Sequence, residues 1–365
     1  MLHGGLVGRC LQQLNVPAGG SKTFWRAAQL RSTPMALSKL DPDKVKKAVQ
    51  AIVPKLTDDR YKGQAGVIGT IGGCREYTGA PYFASISSLK VGADLSHTFC
   101  TEGAATVIKT YAPDLIVHPY LPDSNDYPDE LPEEKRKAIL DKAAAAMDHW
   151  MPRFSVVTIG PGLGRDELVH ATAKQVILKL RDLDKPMVID ADGLYIVTKN
   201  LDLIKGYKNV ILTPNKNEYQ RLADQLNIDL EDPSTSDEDK LQKMCKLLDG
   251  PTLVRKGARD LITNGTSFVE GTDVGSPRRA GGQGDVMAGS IATFYAWAVE
   301  ALKAGNQEAQ HATTVISATV LAAYGGTLTA RYAAMAAFQK RRRSMIAVDL
   351  IDELGLAVDE LFDQT

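Results

Sequence analysis

The sequence predicts an α/β fold, with a central, mostly parallel sheet flanked by helices on both faces. Two observations carry this expectation. From Asp41 onward, short apolar runs alternate with longer helical patterns, as in strands joined by crossover helices. Several of those runs also end in loops of unusual composition: Gly72-Gly73, Gly160 to Gly164, Asp190-Ala191-Asp192, Thr213-Pro214-Asn215 and Lys256-Gly257. Ligands of such sheets bind outside the carboxyl ends of the strands, so these loops are candidates for a site.

Val67 to Ile71 reads as a buried strand, and Ala80 to Leu95 as a helix with Phe83, Ile86, Leu89 and Leu95 near one face. Val156 to Ile159 is a second strand, followed by a helix over Asp166 to Leu183. Met187 to Ile189, Val210 to Leu212 and Leu253-Val254 are further strands. Leu261 to Thr263 and Ser267 to Val269 flank Asn264-Gly265, a strong hairpin signal. Two long helices are expected over Val286 to Ala304 and Gln307 to Tyr324, rich in small residues as closely packed helices are. Asp123 to Lys137 and Asp229 to Lys240 are acidic surface stretches. The βα alternation resumes after each, so neither is a domain linker.

The chain has 365 residues, 44% of them hydrophobic, enough for a large core. A net charge of −1 gives no global case for nucleic acid as a partner. No apolar run reaches the roughly 18 residues needed to span a bilayer, so no membrane insertion is expected. Cys10, Cys74, Cys100 and Cys245 have neither disulfide-framework nor zinc spacing and read as reduced thiols. Residues 1–40 carry Arg9, Lys22, Arg26, Arg31 and Lys39 without one acid. That pattern predicts a transit peptide or a disordered basic leader, with the mitochondrion as the destination of a transit peptide. Initiation at Met35 would yield a cytoplasmic form. Residues 41–365 are then expected to form a single domain.

The chemistry concentrates in Arg278-Arg279-Ala280-Gly281-Gly282-Gln283-Gly284-Asp285. Glycine amides can approach a ligand closely, and with the amides of the following helix they form an anion site. Asp285 falls in the first helical turn, where it can take a proton beside a bound phosphoryl group. Phosphoryl transfer needs that pairing of anion donors and a proton acceptor.

Gly160-Pro161-Gly162-Leu163-Gly164-Arg165 closes a strand and opens a helix. It reads either as a substrate approach or as a tight turn. No strand-borne acid completes a dinucleotide fingerprint, and no Walker A pattern occurs. Asn215-Lys216-Asn217-Glu218-Tyr219-Gln220-Arg221 follows a strand. The Asn-x-x-Glu spacing fits a hydrated Mg²⁺ and a capping box, and the two readings are compatible. Lys256-Gly257-Ala258-Arg259-Asp260 is either a charged turn or a presenter of cations to nucleotide phosphate.

In this order and number, the segments resemble the eukaryotic ATP-dependent NAD(P)H-hydrate dehydratases of the ribokinase-like superfamily. The matching stretches are Lys62 to Gly66, Gly72 to Pro81, Gly160 to Arg165, Val188 to Leu194, Leu212 to Asn215 and Gly281 to Asp285. The resemblance implies a ribokinase-like fold and ATP-driven repair of the S epimer of hydrated NADH or NADPH. It implies Asp285 as catalytic base, with Gly281, Gly282 and Gly284 forming the anion hole. It assigns nucleotide contacts to Lys256, Gly257, Ala258, Arg259 and Asp260. Further nucleotide contacts fall on Gly275, Ser276, Pro277, Arg278, Arg279, Ala280, Gly281, Gly282, Gln283 and Gly284. The hydrated dinucleotide falls to Gly162 or Gly164, Asn215, Lys216, Asn217, Glu218, Tyr219, Gln220, Arg221 and Asp285. In related kinases the Asn-x-x-Glu pattern serves Mg²⁺ instead, so Glu218 is also a candidate to hold that ion through water. A small-molecule kinase releasing a stable phosphorylated product is the alternative activity. A regulatory protein without turnover is disfavoured, because Asp285 and its glycines are all present. Lys340-Arg341-Arg342-Arg343 lies outside the motifs, as a surface helix or a homo-oligomer contact.

Overall fold

The computed structural model describes residues 38–271 and 275–362. Its strands are β1 (Ser38–Lys39), β2 (Val67–Ile71), β3 (Leu95–Thr101), β4 (Ile116–Leu121) and β5 (Val156–Ile159). They continue with β6 (Met187–Ile189), β7 (Val210–Leu212), β8 (Thr252–Arg255), β9 (Leu261–Thr263) and β10 (Ser267–Glu270). These form one sheet in the order β1-β10-β9-β8-β7-β6-β5-β2-β3-β4. From β8 to β4 all neighbours are parallel, while β9 is antiparallel to both β8 and β10. The expected parallel α/β sheet is therefore present. β5, β6 and β7 are buried at every position, as strands covered on both faces must be.

The helices are α1 (Pro42–Gln50), α2 (Gly79–Val91), α3 (Glu102–Tyr111), α4 (Glu133–Asp148), α5 (Glu167–Asp182), α6 (Ala191–Lys199) and α7 (Lys216–Gln225). They continue with α8 (Asp237–Leu248), α9 (Gln283–Lys303), α10 (Gln307–Val315), α11 (Ala318–Arg341), α12 (Ala347–Ile351) and α13 (Leu354–Phe362). α2, α9 and α11 pack together on one face of the sheet, and α4 to α8 line the other. Phe99, Met147, Phe154, Val176, Leu222 and Met244 belong to the core under that second layer. α9 is buried from Val286 to Val299. Its neighbours approach through backbone: a methyl on Gly289 would stand 2.1 Å from the Ala84 carbonyl oxygen, and one on Gly326 2.4 Å from the Ile291 nitrogen.

Two expectations are corrected. The helix expected to reach Leu95 stops at Val91, because Gly92 adopts φ 127° and the chain turns into β3. The helix expected over Gln307 to Tyr324 is two. Ile316 is extended, and the Ser317 side chain accepts from Val320 N to cap α11. Ser38 and Lys39, which fall within the expected leader, pair with β10. Ser38 N donates to the Thr266 carbonyl at 3.0 Å and Leu40 N to that of Phe268 at 2.8 Å. The rest of the expected leader, with Met35 and Cys10, lies outside the described residues. Cys74, Cys100 and Cys245 are buried and free. Among the described residues no helix is long and apolar enough to cross a membrane.

Candidate active site

The site lies at the carboxyl ends of β5 to β8, against the start of α9. The glycine loop leads into that helix, with Gly282 as its N-cap in the left-handed region at φ 88°. A side chain at Gly282 has no room: a methyl would come within 2.6 Å of the Phe83 ring and 2.9 Å of Ala347 Cβ. Gly281 is exposed, and its missing Cβ faces open space. Gly284 sits over charge. A methyl there would stand 3.2 Å from Lys256 Nζ and 3.7 Å from the Asp190 carboxylate.

Asp190 ends β6 and is almost fully buried. Its Oδ1 accepts from Lys256 Nζ at 2.6 Å and from Thr213 Oγ1 at 2.8 Å. Burial works against the Lys256 ammonium, but Asp190 and Glu218 outweigh it and hold its pKa above the usual lysine value. Asp285 is affected by the same cluster. Burial, then the charge of Asp190, push its pKa well above the usual carboxylate range, and Lys256 opposes them. Glu218 is raised too, by burial first and Asp190 second. Lys256 is thus paired with Asp190 and feels the charges of Glu218 and Asp285, and Asp285 holds a proton more tightly than an ordinary carboxylate.

The Asn215–Glu218 pair forms a complete capping box. Asn215 Oδ1 accepts from Asn217 N at 2.9 Å and Glu218 N at 3.0 Å, and Glu218 Oε2 accepts from Asn215 N at 2.7 Å. The capping reading is therefore realised. Lys216, Asn217, Gln220 and Arg221 are exposed on α7, while Tyr219 is buried beneath it. Gln220 donates to Asp224 at 2.8 Å. Tyr219 faces the core rather than the open end of the sheet.

The Gly160–Arg165 loop is a tight turn, with Gly160, Gly162 and Gly164 all at positive φ. A methyl on Gly162 would meet the Tyr77 carbonyl oxygen at 2.8 Å, and one on Gly164 the Cys74 sulfur at 2.9 Å. Asp192 holds the turn down, accepting from Gly164 N at 2.9 Å and pairing with Arg165 at 2.7 Å. Arg165 also lies 4.0 Å above the Tyr195 ring.

The Lys256–Asp260 turn has a buried anchor. Asp260 Oδ1 accepts from Gly257 N at 2.9 Å, and its Oδ2 pairs with Arg331 of α11 at 3.0 Å. Arg331 also donates to the Ala258 carbonyl. Asp260 thus shapes the turn that delivers Lys256, while Arg259 points outward to Glu270 at 3.1 Å. Upstream of the glycine loop, Ser276 Oγ accepts from Arg278 N at 3.0 Å. Arg278 donates to the Arg343 carbonyl at 3.2 Å, and Gln283 donates to the Arg278 carbonyl at 3.0 Å. Ala280 packs on Ala334, Ala337 and Met345. Gly275 passes Arg331, and Pro277 and Arg279 are exposed.

The structure brings Gly284, Asp285, Lys256 and Glu218 together. It holds Asp260 and Tyr219 in the interior, away from the open loop. Sequence reading placed Asp190 in a candidate strand-end loop but gave it no role of its own. The signal was its place at a strand end, ahead of a second acid.

A mostly parallel α/β sheet with a glycine loop, a first-turn aspartate and a largely buried lysine at its strand ends is the arrangement of the ribokinase-like class. A solved ribokinase-like protein of Enterococcus faecalis shares the fold with a TM-score of 0.65 at 20% identity, over 92% of this chain and 99% of that one. So does an ADP/ATP-dependent NAD(P)H-hydrate dehydratase of Bacillus subtilis co-crystallised with ATP and Mg²⁺. Its TM-score is 0.59 at 17% identity, over 90% of this chain and 99% of that one. The sequence profile of the NAD(P)H-hydrate dehydratases matches residues 68–354. An ATP-dependent (S)-NAD(P)H-hydrate dehydratase of Vitis vinifera is 43% identical over 344 residues, 94% of this chain and 93% of the relative. One of Homo sapiens is 41% identical over 340 residues, 93% and 89% respectively. The chain belongs to the ATP-dependent (S)-NAD(P)H-hydrate dehydratase family.

Proposed function

We propose that this chain carries out the family reaction, ATP-dependent dehydration of the S epimer of hydrated NADH and NADPH, with Asp285 as general base. The observation that carries this is the position of Asp285. Its carboxylate has a raised proton affinity, follows Gly284 in the first turn of α9, and feels the charge of Lys256. The hydroxyl on the hydrated ring gives its proton to Asp285 while its oxygen attacks the γ-phosphorus of ATP, and ADP leaves. Amides of Gly281, Gly282 and Gly284 stabilise the charge that develops on the transferring group. The new phosphate ester then leaves as inorganic phosphate, assisted by the ring nitrogen. Loss of a proton from the neighbouring carbon restores the double bond.

Mg²⁺ would neutralise charge on the ATP phosphates. Among the described residues no cluster of three or more His, Cys, Asp or Glu can cage a metal, and one Glu218 oxygen is committed to its capping box. This donor set fits a hydrated ion carried on the nucleotide, with Glu218 reaching it through water. The nucleotide falls to the exposed side of the Lys256–Arg259 turn and the Arg278–Gly284 loop. The hydrated dinucleotide falls to the start of α7 and the Gly162–Gly164 turn. The basic, acid-free leader supports import into the mitochondrion, and initiation at Met35 would leave a cytoplasmic form. A fluorescent fusion with and without the first 37 residues tests this.

The deciding assay incubates the protein with hydrated NADH, ATP and Mg²⁺. Return of the reduced-nicotinamide absorbance with release of phosphate is expected. A stable phosphorylated product without that absorbance would instead establish a kinase.

A further inference from the structure

We propose that Asp190 is a positioning residue, whose carboxylate detains the Lys256 ammonium beneath the glycine loop and keeps it from pairing with Asp285. This rests on the reading of Asp285 as the base.

The geometry is specific. Lys256 enters from the end of β8 and Asp190 from the end of β6, two strands away. Their charged atoms meet at 2.6 Å, with side chains 16% and 2% exposed. Thr213, at the end of β7 between them, donates to the same Asp190 oxygen at 2.8 Å and fixes the carboxylate. The pair sits directly under Gly284, whose missing side chain gives the ammonium its space. A bare glycine here lets a cation stand close to the amides that receive a phosphoryl group.

The same ammonium has other suitors. The groups acting on Asp285 are Asp190 at the end of β6, Asp192 at the start of α6, Glu218 in α7 and Lys256 at the end of β8. Asp192 is already engaged by Arg165 at 2.7 Å. Lysine is a flexible point charge, and in a site of low effective dielectric it pairs with the nearest unengaged carboxylate. Without Asp190 it would turn to Asp285 or Glu218. A base paired directly to an ammonium is a poor proton acceptor. Asp190 therefore separates two jobs: Lys256 stays with the phosphoryl group, and Asp285 stays free to take the proton.

The test is the pH dependence of kcat/KM with hydrated NADH, in Asp190→Asn, Lys256→Met and the double variant. ATP affinity by calorimetry monitors the folded site. Asp190→Asn removes a neighbouring negative charge and frees the ammonium, and both effects make Asp285 a weaker base. Its acid limb should move to lower pH by on the order of one unit, with a plateau kcat reduced about tenfold or more. Lys256→Met should move the limb the other way. The double variant should lie between them, since without the ammonium there is nothing for Asp190 to detain. Asp190→Glu should keep the limb near its original pH. If Asp190 merely ties strand ends together, Asp190→Asn will lower stability and kcat while the limb stays in place, and the proposal fails. Should Asp190→Asn not fold, an unmoved limb in Lys256→Met overturns it equally. A wild-type protein inactive on hydrated NADH would instead defeat the functional reading beneath it.

Discussion

Gly281 and Gly282 are chemically identical neighbours, and the structure predicts opposite responses to the same methyl. At Gly282 the backbone is left-handed, at φ 88°. A non-glycine residue there costs about 1–2 kcal/mol. The new Cβ would also press on the Phe83 ring at 2.6 Å and on Ala347 at 2.9 Å, and such overpacking costs about 1–3 kcal/mol. Gly282→Ala should therefore lose about 2–5 kcal/mol of stability. At roughly 2–4 °C per kcal/mol for a domain of somewhat smaller size, Tm should fall by about 4–20 °C. Because the loop must shift to relieve the contact, its amides also lose their aim, and kcat should fall on the order of a hundredfold. At Gly281 nothing lies within 4 Å of the same methyl. Gly281→Ala should stay within about 0.5 kcal/mol of the parent. Thermal unfolding and steady-state dehydratase assays on both variants, at one temperature and ATP concentration, decide the matter. Equal losses at the two positions, or a Gly282→Ala protein with parental Tm and kcat, would show that Gly282 does not seat the loop.

Asp285→Asn should cut kcat about a hundred- to ten-thousandfold while calorimetry finds ATP affinity retained; a near-parental kcat would remove it as the base. Gly284→Val should press on Lys256 and lower kcat by about a hundredfold or more, with a smaller change in Tm; an unchanged kcat in the folded variant would refute the anion-loop role. Chains beginning at Ser38 and at Asp41 should differ, because only the first keeps the β1–β10 pairing; matching denaturant midpoints would make that edge strand dispensable. His97 and His118 share a buried hydrogen bond of 3.0 Å, and burial lowers both pKa values to about 4. The unfolded chain binds these protons first, so stability is complete above about pH 6.5 and is lost as pH falls toward 4. Tm measured across that window should fall less steeply in His118→Phe; parallel curves would exclude the pair as the cause.

The apolar strands and the turns between them were legible because their signals are local. Asn264-Gly265 marked a hairpin, and there the Asn264 side chain accepts from Thr266 N and Ser267 N while Gly265 takes φ 87°. β3 escaped notice because Ser96, His97 and Thr98 break the apolar run. Their burial depends on partners far along the chain, such as His118 and Ser85. The glycine loop and Asp285 were visible as one contiguous motif. Asp190 was visible only as part of a strand-end loop, since its importance comes from Lys256, 66 residues later. Spacing cannot reveal a pair that only the sheet order brings together. Asp260 shows the converse: it sits in a recognisable segment, yet Arg331 of a distant helix binds it inside the protein.

The helix that carries the glycine loop has backbone for neighbours. Gly289 lies against the Ala84 carbonyl and Gly326 against the Ile291 nitrogen, and contacts between main chains leave no side-chain slack through which α9 could slide. In the proposed reaction its first-turn donors hold their orientation before any nucleotide arrives, so developing charge meets dipoles that need not reorient. Residues with no ligand contact thereby acquire kinetic weight. A methyl added at Gly289, a full turn below Asp285, would tilt the helix and misdirect donors it never touches. In the proposed reaction, the rate of phosphoryl transfer depends partly on how closely α9 and its neighbouring helices can lie.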